Sequence, residues 1–347
     1  MVGLDISDRS IKVAEVTGSD PARLSTVCWS SLPLGAIRRG VIQDIPLVAA
    51  AVRDAFLKCS PVPVEGRAVI ASIPEMRSFV RVLDLPVMSE EETEEAVHWA
   101  VRQHIPFDLD RVYLDWQVLP VIAQENRQAV LVGVAQRDVV DPLVEVLESV
   151  ELEVMALELE AQAIVRSLLP RDAAGVQGVL IVDLGATSTN VIYFSDGAMR
   201  FTTSVQLGGD DLTYKLAQTL NLKPSVAAEQ KAQVGIAGEN ANPQVVAALR
   251  DATKELVLRI DKTVREMGTQ MQQENYVRTI LLAGGAANLP GIQELFNEVF
   301  PNVPIQMGNP WTNILAPQGE GVPSLSLQDA SHFATALGLA LRKEDDV

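Results

Sequence analysis

GLDISDRSIKV at residues 3–13 and IVDLGATSTNV at residues 181–191 are one pattern written twice. Aligned on Asp5 and Asp183, the copies match Ser7 to Gly185, Ser10 to Ser188, Lys12 to Asn190 and Val13 to Val191. The offset, 183 − 5 = 178, is close to half of the 347 residues. Each copy reads as an apolar strand, a short Asp/Gly/Ser/Thr loop and a second apolar strand, a β-hairpin whose turn exposes backbone N–H groups and hydroxyls. Either segment alone is an ordinary hairpin with a solvated turn. Their repetition at half length points instead to two turns that pinch a phosphate chain.

The residue types suit that chemistry. Small residues at Ser7, Gly185, Ala186 and Ser188 let backbone approach an anion, and successive N–H groups in a turn make an anion-binding concavity. Ser10, Thr187 and Thr189 add hydroxyl donors, and Lys12, with Asn190 as its counterpart, adds a compact positive charge. Asp5 and Asp183 make sense beside a polyphosphate only with a hard cation between, and Mg²⁺ takes one or two carboxylates while keeping waters and phosphate oxygens. A third segment, TILLAGGAANLPGIQELFNEV at 279–299, runs from a strand through Gly284 and Gly285 to a helix expected to open near Asn288 and Pro290. Glycines at the carboxyl end of a strand allow a base or ribose to lie against the backbone.

In this order the three segments resemble the phosphate-1, phosphate-2 and adenosine motifs of the actin, heat-shock chaperone and sugar-kinase ATPase superfamily. LELEAQA at 157–163 is similar to the superfamily's connecting helix, and the match implies that Glu160, with Ala163 three residues on, faces the γ-phosphate and polarises the attacking water. HFATALGLAL at 332–341, with Ala336 and Gly338 on one helix, resembles the second connecting helix. Within the superfamily the block SEEETEEAVHWAVRQHIPFDLDRVYLDWQVL at 89–119, the first hairpin and LAGGAANLPGI are similar to the PilM family of actin-like type IV pilus assembly proteins. The relative FtsA ends in a linker and a membrane-targeting amphipathic helix, whereas this sequence ends in the acidic LRKEDDV.

The resemblance implies an α/β fold of the actin-like, ribonuclease H-like duplicated kind, two-lobed, with an FtsA/PilM-type 1C insertion. Expected are subdomain 1A over 1–83, subdomain 1C over 84–152, a connecting helix of 1A over 153–176 and subdomain 2A over 177–207. The helical cap 2B follows over 208–277, the rest of 2A over 278–329 and the last 1A helix over 330–347. Ser89 with Glu92 reads as a capping box opening a helix that buries Ala96, Val97, Ala100 and Val101. Leu249, Leu256, Ile260 and Val264 form a core stripe on a long amphipathic helix. The match places Gly208 and Gly209 at the nucleotide cleft between the lobes and Lys231 on the adenosine side, with Glu229 a poorer fit. ATP and Mg²⁺ are the implied cofactors, and binding would bias closure of the lobes with slow or conditional hydrolysis.

Bulk properties exclude several classes. A net charge of 28 − 45 = −17 disfavours nucleic acid or anionic lipid as a direct partner. No apolar run is long enough to span a bilayer and no signal peptide is present. Cys28 and Cys59 read as reduced, buried small hydrophobes. His98, His104 and His332 show no metal spacing.

The family resemblance further implies a cytoplasmic protein, peripheral at the inner face of the inner membrane through partner proteins alone. It would bind the cytoplasmic N-terminal peptide of a PilN-type protein and link it to the pilus assembly and retraction ATPases. Phe107, Leu109, Tyr113, Leu114 and Trp116 lie in the insertion that would help form the peptide groove, although such residues in strands are usually core. Two other readings stand beside the scaffold: a filament-forming ATPase of the FtsA or MreB kind, and a small-metabolite kinase. The insertion offers the kinase no recognisable aspartate base.

Overall fold

Asp5 lies directly opposite Lys12 across the first hairpin, in strands β1 (Val2–Ile6) and β2 (Ser10–Thr17). Around this hairpin the computed structural model describes residues 1–18, 22–60, 62–64, 66–104, 108–119, 126–237, 242–271, 276–315 and 325–342. β1 is buried at every position because it has a neighbour on each side, the pattern of a central strand rather than of a half-solvated one.

The chain continues through β3 (Ala22–Ser31), a small hairpin of β4 (Ile37–Arg38) and β5 (Val41–Ile42), and helix α1 (Ile45–Leu57). Asp44 caps α1 by accepting the Leu47 N–H at 2.9 Å, and Pro46 occupies its first turn, where no N–H is needed. Then come β6 (Ala68–Ile73), β7 (Ser78–Pro86), α2 (Glu90–His104), β8 (Val112–Val118), β9 (Arg127–Gln136), α3 (Arg137–Ser149), β10 (Glu153–Leu159) and α4 (Glu160–Leu168). The second half holds β11 (Val179–Leu184), β12 (Thr189–Ser195), β13 (Ala198–Val205), α5 (Gly209–Leu220), α6 (Pro224–Val234), α7 (Pro243–Met271), β14 (Thr279–Ala283) and α8 (Ile292–Val299). Short strands β15 (Ile305–Met307) and β16 (Ile314–Leu315) and helices α9 (Leu327–Ser331) and α10 (Ala334–Ala340) complete it.

Two units result. The first comprises the described residues within Met1–Val176, Phe194–Thr203 and Asn309–Val347, the second those within Gln177–Tyr193 and Ser204–Gly308. In the first unit a six-stranded sheet has the order β10-β6-β1-β2-β3-β16. β1 pairs antiparallel with β2 and parallel with β6, so the hairpin sits mid-sheet. One face packs α1 and α3 over Val2, Leu4, Ile11, Val13 and Val69. The other face carries α10 and α4. A side chain at Gly3 would strike the α10 backbone, and one at Gly338 would fall inside the Ala163 carbonyl, so both contacts are backbone-close and require glycine. The buried Glu158 carboxylate holds this crossing, accepting from Arg166 at 3.0 and 2.5 Å, while Arg166 also donates to the Gly338 carbonyl at 2.9 Å.

The first unit also contains β7, β9 and β8, paired antiparallel in that order, with Phe201 of β13 registered on Arg81 of β7. β7, from Ser78, pairs with β9 over its whole length and so belongs to the sheet next to α2. α3 buries Leu143, Val146 and Leu147 in the same core as α1. The capping box is present, with Ser89 N–H to Glu92 Oε2 at 2.9 Å and Glu92 N–H to Ser89 Oγ at 3.3 Å. Val97, Ala100 and Val101 are buried below α2.

The cysteines are a correction. Cys28 and Cys59 form a disulfide, Cα atoms 4.6 Å apart, because the packing of α1 on β3 brings the residue two past the helix onto the inward-facing Cys28.

In the second unit β11 pairs parallel with β14 and β14 parallel with β15, with α8 beside them. α5, α6 and α7 pack on one another, and Leu249, Leu256, Ile260 and Val264 are buried as a core stripe. No helix among the described residues is long and apolar enough to cross a membrane. Gly338→Ala should lower stability by about 1–3 kcal/mol, the usual cost of overpacking, or prevent folding, as read by denaturant unfolding. An unchanged midpoint would show that the two helices can move apart freely.

Candidate functional site

In the second unit, β11 ends at Leu184 and the chain turns through 185–188 with the Gly185 N–H donating to Ser188 O at 3.0 Å. α5 docks on this turn end-on. Gly209 N–H donates to Gly185 O at 3.0 Å and Asp210 N–H to Ala186 O at 2.8 Å, while Thr189 Oγ1 donates to Leu207 O at 2.8 Å. Gly208 makes the approach possible, since a Cβ there would lie 2.6 Å from the Ala186 carbonyl carbon and 2.8 Å from Ser188 N. Asp211 caps α5 by accepting the Gly208 N–H at 2.8 Å. The turn and the start of α5 are thereby locked together through the Gly208, Gly209 and Asp210 amides, and a fixed turn of small residues lets backbone approach an anion.

Lys231 on α6 reaches the same place and donates to Gly209 O at 2.6 Å. Burial lowers its pKa, and the Asp210 charge opposes that shift. Glu229, on the same helix, is exposed and accepts from Gln233 at 3.2 Å. Gly284 ends β14 with φ +81°, and a side chain there would collide with the Asp183 carboxylate and with Leu184. The adenosine segment differs from the expected helix. Gly285–Asn288 form a 3₁₀ turn and α8 starts only at Ile292, because Pro290, whose carbonyl accepts the Ile236 N–H at 2.8 Å, turns the chain first. The second unit thus gathers Asp183, Gly185, Ala186, Thr187, Ser188, Thr189, Asn190, Gly208, Gly209, Lys231, Gly284, Gly285 and Asn288.

The first unit holds Asp5, Ser7, Ser10, Lys12 and Glu160. Its turn is closed on itself, with Ser7 N–H and Oγ both donating to Ser10 O at 3.0 Å. Asp5 is buried and engaged at both oxygens, by Lys12 Nζ at 2.8 Å and by Ser72 Oγ at 3.2 Å. Lys12 is therefore a paired cation. Among the described residues no group of three acidic, His or Cys side chains could hold a metal. Glu160 is the first residue of α4, and its Oε2 accepts the Glu75 N–H at 3.4 Å.

Two residues of this unit, Asp8 and Glu75, escaped sequence reasoning, and a third, His332, was read only as lacking metal spacing. Asp8 accepts the Arg39 and Gly40 amides at 2.9 Å each. His332 has its pKa lowered by burial and by the positive charge of Lys12. Glu75, in the 3₁₀ turn Glu75–Arg77, is 4% exposed, and burial pushes its carboxyl up to about 8. The only sequence signal for Glu75 is its place directly after a strand and a proline.

In the insertion, Leu109, Leu114 and Trp116 pack against the core formed by Val97, Val101, Val112, Val130, Val132 and Val134. Tyr113 is exposed, donates to Asp141 Oδ1 at 2.9 Å and lies under the Arg137 guanidinium, 4.1 Å from its ring centre. Phe107 lies outside the described residues.

The raised Glu75 pKa has a signed consequence for stability. Folded protein holds this proton more tightly than unfolded chain, so the contribution is complete below about pH 4.5 and is lost as pH rises to about 8. Thermal unfolding between pH 5 and pH 8 should show a fall in Tm in the wild type that Glu75→Gln diminishes. Equal pH slopes for both would contradict a buried neutral carboxyl.

Comparison with known proteins follows the same lines. The cell division protein FtsA of Pseudomonas aeruginosa is 26% identical over 360 residues, 90% of this chain and 83% of that one. FtsA of Borreliella burgdorferi is 29% identical over 191 residues, so that match spans only 43% of the relative and 48% of this chain. Among solved structures a PilM-PilN type IV pilus biogenesis complex superposes with TM-score 0.83 at 25% identity, covering 98% of this chain and 97% of that one. MreB 5 of Spiroplasma citri bound to AMPPNP superposes with TM-score 0.53 at 14% identity, over 97% and 93% of the two chains, which shows the actin-like fold alone. The family model described as type IV pilus assembly protein PilM matches residues 3–344, and the chain belongs to that family.

Proposed function

We propose that this protein is an ATP-binding scaffold of a type IV pilus assembly complex, holding the cytoplasmic N-terminal peptide of a PilN-type membrane protein and linking it to the pilus motors. The observation that carries the nucleotide part is the cradle in the second unit. There the 185–188 turn is clamped to the α5 N-terminus through a position that admits only glycine. Its donors are the turn's amides, the Thr187 hydroxyl and the partly desolvated Lys231, whose positive charge suits a polyphosphate better than a neutral sugar. Gly284 and Gly285, following the carboxyl end of β14, are the backbone against which the adenosine would lie. An actin-like relative, MreB 5, is bound to AMPPNP.

Asp183 of the second unit and Asp5 of the first would each be a carboxylate toward Mg²⁺, which would supply charge neutralisation to the phosphates. Asp5 already receives Lys12 and Ser72, so it fits as an acceptor for the ion's waters better than as a direct ligand. Glu160 carries the water-orienting role. It would hold an attacking water whose oxygen forms the new bond to the terminal phosphorus as the bond to ADP breaks, ADP keeping the electron pair and the water proton leaving with inorganic phosphate. The nearby Glu158 is already held by Arg166, so the sequence offers Glu160 no obvious second base, which favours slow hydrolysis and a nucleotide used as a structural ligand.

The peptide part is supported by a family relative that forms a PilM-PilN complex. Tyr113, stacked under Arg137 on β8, is the exposed member of the expected groove set, and β8 closes its sheet with a single partner, β9, among the described residues. The acidic net charge supports attachment at the inner membrane through protein rather than lipid.

Calorimetric titration with Mg-ATP and with a synthetic PilN-type N-terminal peptide tests both parts. Gly208→Val should abolish nucleotide binding, and Tyr113→Ala should weaken peptide binding about tenfold or more, as for an aromatic anchor, with nucleotide affinity unchanged. Nucleotide-dependent pelleting without peptide binding would favour the filament reading instead.

A further inference from the structure

The loop between β6 and β7 carries three contacts that the nucleotide chemistry does not by itself require. Its Glu75 main chain donates to Glu160 Oε2 at 3.4 Å. The Glu75 side chain takes the Thr202 hydroxyl of β13 on Oε1, while its Oε2 has no hydrogen-bond partner among the described residues. At the other end of the same turn Arg77 Nε donates to Arg39 O at 2.8 Å, and the Arg39 and Gly40 amides are bound by Asp8 in the turn of the first hairpin. The turn is therefore fixed from three sides, and what it presents is one backbone amide aimed at the Glu160 carboxylate.

We propose that Glu75 is a positioning residue for Glu160: its carboxyl, anchored by Thr202 in a dry environment, sets the 3₁₀ turn so that its own N–H orients the water-holding carboxylate. This rests on the role of Glu160 proposed above. Glu160 is half-buried at a helix start, where a glutamate side chain has more than one rotamer open to it. One oriented amide restricts it to the geometry in which a water is held in line, and misplacement by about 1 Å is enough to cost about a hundredfold in rate. The same turn leads directly into β7 at Ser78, so any shift of the insertion sheet transmitted along β7 reaches Glu160 through this amide.

The test is release of inorganic phosphate from Mg-ATP by the full-length protein carrying Glu75→Ala, Glu75→Gln, Thr202→Val, Glu160→Ala and the Glu75→Ala/Glu160→Ala pair, with a thermal melt of each. Glu75→Ala should lower kcat about tenfold or more with KM within about threefold, Glu75→Gln should restore most of the rate, and Thr202→Val should move kcat in the same direction. In the Glu160→Ala background, Glu75→Ala should have no additional effect, because a positioning residue acts only through the group it positions. Unchanged kcat in folded Glu75→Ala or Thr202→Val, or the same fold loss in both backgrounds, would overturn the assignment of Glu75 alone. A wild type without hydrolysis, or Glu160→Ala without effect, would overturn the reading of Glu160 and the assignment with it. Should Glu75→Ala fail to fold, Thr202→Val decides.

Discussion

In the second unit Gly208 comes so close to the Ala186 carbonyl that no Cβ fits, and much of that unit follows from this approach. No side chain fits between the two strands of chain, so the 185–188 turn and the start of α5 share hydrogen bonds as if they were one element. The Gly185 and Ala186 carbonyls are then consumed by the Gly209 and Asp210 amides, which removes two acceptors that would repel an anion. Lys231 is drawn onto the Gly209 carbonyl, and the desolvation it suffers there lowers its pKa while the Asp210 charge limits the loss. Gly284 obeys the same rule beside Asp183, where only a residue lacking Cβ adopts φ +81° against a carboxylate.

The first unit is organised by paired charge. Asp5 lies buried under Lys12 and Ser72, and Glu158 lies buried under Arg166, with Arg342 at 3.7 Å. A buried carboxylate left alone would cost several kcal/mol, and these are not left alone. Glu160, two residues from Glu158, points to a different task, because Glu158 already holds the α4–α10 crossing at Gly338 and Glu160 is steered by a backbone amide. Of the two glutamates in LELEAQA, one clamps a helix crossing and the other, Glu160, is the one to which the proposal gives the water-orienting role.

Much of this was legible in the sequence because it was local. The hairpins, the glycines at 208, 209, 284 and 285, the Ser89–Glu92 capping box and the α7 stripe are set by residue type and spacing within a few positions. What was not legible depended on partners distant in sequence. β7 shows a strand pattern, but nothing in it says that its partner is β9 rather than the first sheet. Cys28 and Cys59 are 31 residues apart, and only the docking of α1 on β3 makes them neighbours. Glu75 looks like any surface glutamate after a proline, since its burial comes from α4 and β13. The late start of α8 was hidden because Pro290 reads equally well as the first residue of a helix and as a turn.

The central claim is that the 185–188 turn, the first turn of α5 and the 284–288 segment form a nucleotide cradle. Amide hydrogen exchange with and without Mg-ATP tests it most directly. The account predicts slowed exchange concentrated in those three segments, with the outer faces of α6 and α7 unchanged. Saturating Mg-ATP that leaves all three segments exchanging at their free rates would contradict it.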